Sequence, residues 1–128
     1  MARVLPEVPL EPPELIWVTV VFAVAGLLLM ATGALGARGR LRPNPLLGIR
    51  TPLTMRDPEA WAYVHRKAAP WVALAGLSFL VAGVVILLVP SGPVQFWAAM
   101  AGSLVMVALV VVGASLAHLS FRRRNRAR

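Results

Sequence analysis

The chain has no cysteine, so neither a disulfide framework nor a thiolate metal site is available to it. Charge is scarce: Asp, Glu, Lys and Arg make up 14% of the 128 residues, against about 25% in an average soluble domain. Acid is scarcer still. The carboxylates are Glu7, Glu11, Glu14, Asp57 and Glu59, and none falls inside a long apolar run. Without an intramembrane acid an ion-coupled transporter lacks its usual relay group. No Gly-rich phosphate loop or nucleophile motif appears, and the two histidines, His65 and His118, have no ligand spacing. The chain is therefore read as a non-enzyme with no metal or cofactor.

What is present is oil. Hydrophobic residues make up 59% of the sequence, and 128 residues suffice for one domain at most. Three apolar runs stand out: Leu15 to Leu35, Trp71 to Val89 and Val94 to Leu119. Their polar members are Thr19 and Thr32, then Ser78, then Gln95, Ser103, Ser115 and His118. At about 1.5 Å per residue, each run is long enough to cross a hydrocarbon core of about 30 Å as a helix. Three strands could not close a barrel in lipid, so helices are the solution. The fold class expected is an all-α membrane protein of three transmembrane helices, with a cytoplasmic loop and a short interfacial helix between spans one and two.

The formal charge of +8 does not indicate nucleic acid, because of where it lies. Seven basic residues fall between Arg38 and Lys67, five between Arg122 and Arg128, and Arg3 alone lies elsewhere. With three spans both clusters share one side, which the positive-inside rule makes cytoplasmic. The expected order is an external tail (1–14), span one (15–35), a cytoplasmic segment (37–67), spans two (71–89) and three (94–119), and a basic cytoplasmic tail (120–128). The small residues of "ATGALGA" would suit a signal peptidase. The acidic, proline-rich lead-in and the long apolar core speak instead for a retained helix.

The four-residue turn "PSGP" makes spans two and three an antiparallel hairpin. Small residues mark where helices can approach: Gly26, Gly33 and Gly36, then Gly76 and Gly83, then Ala98, Gly102, Gly113 and Ala117. Trp71 would sit in one headgroup belt, and Trp17 and Trp97 in the other.

The segment "NPLLGIRTPLTMRDPEAWAYVHRKA" (Asn44 to Ala68) is unlike the rest. Three prolines and Gly48 make "RPNPLLGIRTP" an ordered loop rather than a helix, with Leu46, Leu47 and Ile49 apolar enough to tuck back against the bundle or the headgroup layer. Arg50 could hold a carboxylate, a phosphate or backbone carbonyls, or snorkel to lipid headgroups. Thr51 and Thr54 can fix a loop or a helix start. "MRDPEAWAYVHRKA" reads as a short helix, capped by Asp57 and with Pro58 in its first turn. Trp61 and His65 share one face with Val64 and Ala68. Pro70 is expected to kink or restart the chain before span two. Asp57, Glu59 and His65 could be drawn together as an acid–base set, but a cap, a first-turn acid and an interfacial histidine account for them. His118 reads as an interface residue at the end of span three.

The ordered set Asn44, Gly48, Ile49, Arg50, Thr51, Pro52, Thr54, Trp61, His65 and Arg66 resembles the signature of the SdpI-like family of bacterial membrane proteins, over roughly residues 24 to 89. The resemblance implies an integral inner-membrane protein with the motif facing the cytoplasm. The family's founding member gives immunity to a secreted killing peptide and is a signalling receptor that holds a transcriptional repressor at the membrane. The partners implied are the lipid bilayer, a peptide toxin and a cytoplasmic regulator; a homo-oligomer is compatible. The alternative is a small structural subunit of a larger membrane complex.

Overall fold

The computed structural model describes residues 8–128; Arg3, Pro6 and Glu7 of the expected external tail lie outside them. Four helices follow in order: α1 (Pro12–Ala37), α2 (Pro52–Arg56), α3 (Pro58–Leu88) and α4 (Gly92–Arg126). α1, α3 and α4 are each long and apolar enough to cross a membrane. Their 26, 31 and 35 residues outrun the apolar runs at nearly every end. At about 1.5 Å per residue α3 and α4 are some 46 and 52 Å long, well beyond a hydrocarbon core of about 30 Å. The surplus of both lies at the motif end, where the start of α3 and the end of α4 project together.

α3 is the central helix. α1 and α4 pack on it from two sides and make no backbone approach to each other. Lipid tails are as apolar as leucine, so no hydrophobic force drives such helices together, and close packing must do it. The glycines supply that packing. A Cβ at Gly76 would lie 2.5 Å from the carbonyl oxygen of Gly26, so α1 and α3 meet backbone to backbone there. Gly33 sits on the Ala69 carbonyl, Gly36 on that of His65, and Gly83 against Phe22. On the other flank Gly102 receives the Ala82 methyl, and Gly113 receives the Trp71 side chain. Trp71 is thus held between helices, whereas Trp17 and Trp97 are mostly exposed. Two buried clusters result. Phe22, Ala82 and Ile86 gather near the α3–α4 turn, and Val64, Ala68, Val72 and Ala117 gather near the motif.

Local chemistry sets the helix ends. α1 stops in a Schellman arrangement: Gly39 adopts φ +66°, its amide donates to Gly36, and the Arg40 amide donates to Leu35. At the far end the buried Gln95 joins three segments. Its Oε1 accepts from the Leu10 amide (2.9 Å), and its Nε2 donates to the Ile86 carbonyl (3.0 Å), one of the last carbonyls of α3. Asp57 ends α2 and caps α3, accepting from the Glu59 amide at 2.8 Å.

One expectation is revised here. Pro70 neither breaks nor restarts the chain: α3 runs unbroken from Pro58 to Leu88 with Pro70 inside it. The interfacial helix expected from Met55 is therefore divided, its first residues belonging to α2 and the remainder continuous with span two. A proline inside a helix costs about 3 kcal/mol. It is tolerated here because both sides of the break are anchored. Ala68, Ala69 and Val72 are buried, Gly33 of α1 presses on Ala69, and Gly113 of α4 presses on Trp71.

Gly76→Val should force α1 from α3 and cost about 1–3 kcal/mol of overpacking, whereas Val84→Ala, on an exposed face, should change stability by about 0.5 kcal/mol or less. Thermal unfolding in mild detergent, followed by circular dichroism, compares the two.

Candidate functional site

Between α1 and α2 the chain crosses the motif end of the bundle as an irregular loop, and each signature residue has a place in it. Asn44 builds the first turn. Its Oδ1 accepts from the amides of Leu46 (2.9 Å) and Leu47 (2.7 Å), and its Nδ2 donates to the Arg42 carbonyl. This is an Asx-type turn, which a short amide side chain can close and most others cannot. Arg50 braces the same turn from the other side, donating from Nη1 to the Pro45 carbonyl at 2.6 Å.

Gly48 follows with φ +111°, a conformation that strains any residue bearing a Cβ. It also lies against the Trp61–His65 pair: a Cβ there would come within 2.5 Å of His65 Nε2 and 3.1 Å of the Trp61 ring. Gly48 is thus required twice over, for its dihedral and for space. The two rings stack with centroids 4.2 Å apart, and both are almost fully buried. Trp61 Nε1 donates to the Leu41 carbonyl at 2.8 Å, tying the start of the loop to α3.

The loop is clasped by two histidines used in the same way. His65 Nδ1 lies 2.8 Å from the Trp61 carbonyl, and its Nε2 receives the Ile49 amide at 2.7 Å. A carbonyl only accepts and an amide N–H only donates, so the proton must sit on Nδ1 and the ring must be neutral. His118 repeats the pattern on α4. Its Nδ1 faces the Ala114 carbonyl at 2.7 Å, and its Nε2 lies 2.8 Å from the Thr51 hydroxyl. With Nδ1–H donated to the carbonyl, Nε2 and the Thr51 hydroxyl share the second bond. His65 thereby holds the loop to α3, and His118 holds it to α4.

Thr51 and Thr54 complete the network as a reciprocal capping box at the start of α2, with Pro52 in the first helical position. The Thr51 amide donates to Thr54 Oγ1 (2.9 Å), and that hydroxyl donates to the Ile49 carbonyl (2.8 Å). Between these bonds Ile49 inserts its side chain against the Val64–Ala68–Val72 cluster. Leu46 does not pack on the bundle beside it but stands 86% exposed. Arg66 is exposed, with its guanidinium against Gly39 of the turn after α1.

A second contact locks the projecting ends of α3 and α4. Tyr63 and Ser120 share a hydrogen bond of 2.6 Å, the Tyr63 ring packs on the buried Phe121, and Arg124 lies over the other part of that ring. Arg124 also pairs with Glu59 at 2.8 Å, an exposed contact of modest strength. Asp57, Glu59 and His65 therefore have three separate sets of partners and do not converge.

Sequence reasoning gathered the loop residues but missed Leu41, Tyr63, Ser120 and above all His118. The available signal was faint: a histidine among arginines at the end of an apolar run, able to reach back one turn to a carbonyl.

A bundle of three apolar helices with such a loop folded onto its end is an integral, multi-pass membrane protein. The SdpI/YfhL protein family matches residues 40–117, and the chain belongs to that family. The match takes in the loop, α2, α3 and most of α4; it begins later than the expected residue 24 and runs past residue 89 into the third span. Comparison with curated proteins and with solved structures gives no match.

Gly48→Ala should cost about 1–3 kcal/mol in backbone strain and break the Ile49–His65 bond, while the three long helices remain. Trypsin cleavage after Arg50 should accelerate sharply with little change in circular dichroism; an unchanged rate would mean that the loop is not held through Gly48.

Proposed function

We propose that the protein is a non-enzymatic member of its family in the bacterial cytoplasmic membrane, giving immunity to a membrane-active peptide and signalling through its motif end. The observation that carries this reading is the double clasp. One loop is bonded to α3 through His65 and to α4 through His118, and it leaves α1 through the Schellman turn. A peptide that pushes any span sideways within the bilayer must then strain or release the loop. A partner docked on that end would sense the change. Support for a non-enzymatic role comes from the same bonds, since the signature's hydroxyls and its imidazole are taken up by hydrogen bonds within the fold.

The basic residues support a cytoplasmic motif end. Arg38, Arg40, Arg42, Arg50, Arg66 and Lys67 cluster there with the arginines that end α4, while Glu11 and Glu14 begin α1 at the opposite end. The native sequence has no cysteine, so single cysteines can be placed without background. Ser91→Cys should react with a membrane-impermeant maleimide on intact cells, and Asn125→Cys only after permeabilisation. The reverse pattern would invert the topology.

Loss of the protein should sensitise its cells to a membrane-active peptide, and unchanged survival across a panel of such peptides would refute the immunity reading. In the same assay Arg50→Lys should fail almost as badly as Arg50→Ala. Arg50 makes a directed bond to Pro45 that a compact ammonium reproduces poorly. Full rescue by lysine would reduce Arg50 to a point charge.

A further inference from the structure

Because α1 and α4 both pack on α3 with no close backbone approach to each other, a crevice remains between them on one side of the bundle. At the motif end it becomes a cavity of about 470 Å³ with a roof. Leu28 and Leu29 of α1 form one wall, Val110 of α4 the other and Val72 of α3 the floor, and the loop from Leu46 to Thr51 closes the top. Of the two hydroxyls lining it, Thr32 is turned into its own helix, donating to the Leu28 carbonyl at 2.7 Å, and Thr51 is bonded to His118. The interior is therefore apolar, and its size falls within the range of about 300–1,000 Å³ usual for small-molecule sites. Its rim carries Leu28 and Leu46, 47% and 86% exposed, so the opening faces the surrounding bilayer.

The roof is cationic. Arg50 lines this cavity and is exposed; among the described residues its one hydrogen bond is from Nη1 to Pro45, which leaves the other guanidinium donors to point outward. A neighbouring cavity of about 430 Å³ shares Thr51 with the first and is lined by Ser115, His118 and Arg122. No carboxylate lines either one. Arg50 thus lines the apolar slot and Arg122 the cavity beside it, with no acid in either lining to neutralise them. That arrangement matches an amphiphile with one tail and a negative head.

The geometry points to a binding site for an anionic phospholipid of the surrounding leaflet, with one acyl chain under the loop and its phosphate on Arg50. The bound chain fills the space between α1 and α4 that no side chain fills, and the phosphate braces the loop from above. This inference does not rest on the immunity reading, because it is tested on purified protein with no peptide present.

The experiment is native mass spectrometry of the full chain, released from detergent micelles carrying dioleoyl phosphatidylglycerol or dioleoyl phosphatidylcholine. One phosphatidylglycerol should be retained per chain, about fivefold more than phosphatidylcholine, as one arginine's attraction to an anionic lipid provides. Arg50→Ala, an exposed change, should erase that preference. Leu28→Trp, at the half-exposed rim, should obstruct the slot and reduce retention of both lipids, with α-helical content unchanged. Equal retention of the two lipids by the native chain would overturn the assignment. So would a preference for phosphatidylglycerol that survives both substitutions, because diffuse attraction to the arginine tail would then explain it.

Discussion

The 2.7 Å hydrogen bond from the Ile49 amide to His65 Nε2 requires three conditions at once. His65 must be neutral with its proton on Nδ1, which the Trp61 carbonyl one turn earlier enforces. The residue before Ile49 must come within contact distance of both rings, which only glycine can do at φ +111°. The Trp61 ring must be fixed beneath it, which its bond to the Leu41 carbonyl achieves. Remove any one and Ile49 loses its seat on the α3 cluster. The loop then has no reason to cross the bundle where it does.

That dependence reflects the solvent. In a bilayer the helices gain little by hiding apolar side chains from lipid, so contact specificity must come from close approach and from polar bonds. α1 and α4 each meet α3 through glycine, and they meet each other hardly at all. The bundle is accordingly a central helix with two flanks, held at one end by Gln95 and at the other by the histidine clasp. Both ties are polar side chains at the ends of apolar helices, where a missing bond is costly.

The spans and the character of the loop were legible because they rest on local rules. Long uncharged runs, the cap at Asp57, proline in the first helical turn and the i, i+4 pairing of Trp61 with His65 each depend on neighbours in sequence. The unbroken passage of α3 through Pro70 was not legible. The proline is local, while the glycines of α1 and α4 that pack on either side of it lie more than thirty residues away in sequence. His118 was hidden for the same reason. Its partner Thr51 is 67 residues distant, and alone it looks like any polar residue at a membrane surface. Gln95 reads as a stray amide until Leu10 and Ile86 are brought to it.

The signature residues divide by direction, and the division separates two kinds of constraint. Thr54, Trp61 and His65 are buried, with Ile49 and the exposed Gly48 laid over them, and their roles are fixed by each other's positions. Arg50 and Arg66 face outward. Arg66 lies on the turn after α1, whereas Arg50 is bonded into the same turn that Asn44 organises and stands at the mouth of the crevice between α1 and α4. Arg50 is thus a charge held in a fixed direction by a folded loop, which a membrane anchor does not need and a site does. A change in spacing between the flanking helices moves the roof, and with it this charge. On the proposed function, this is how the loop would convert a lateral displacement within the bilayer into a change in what its surface presents.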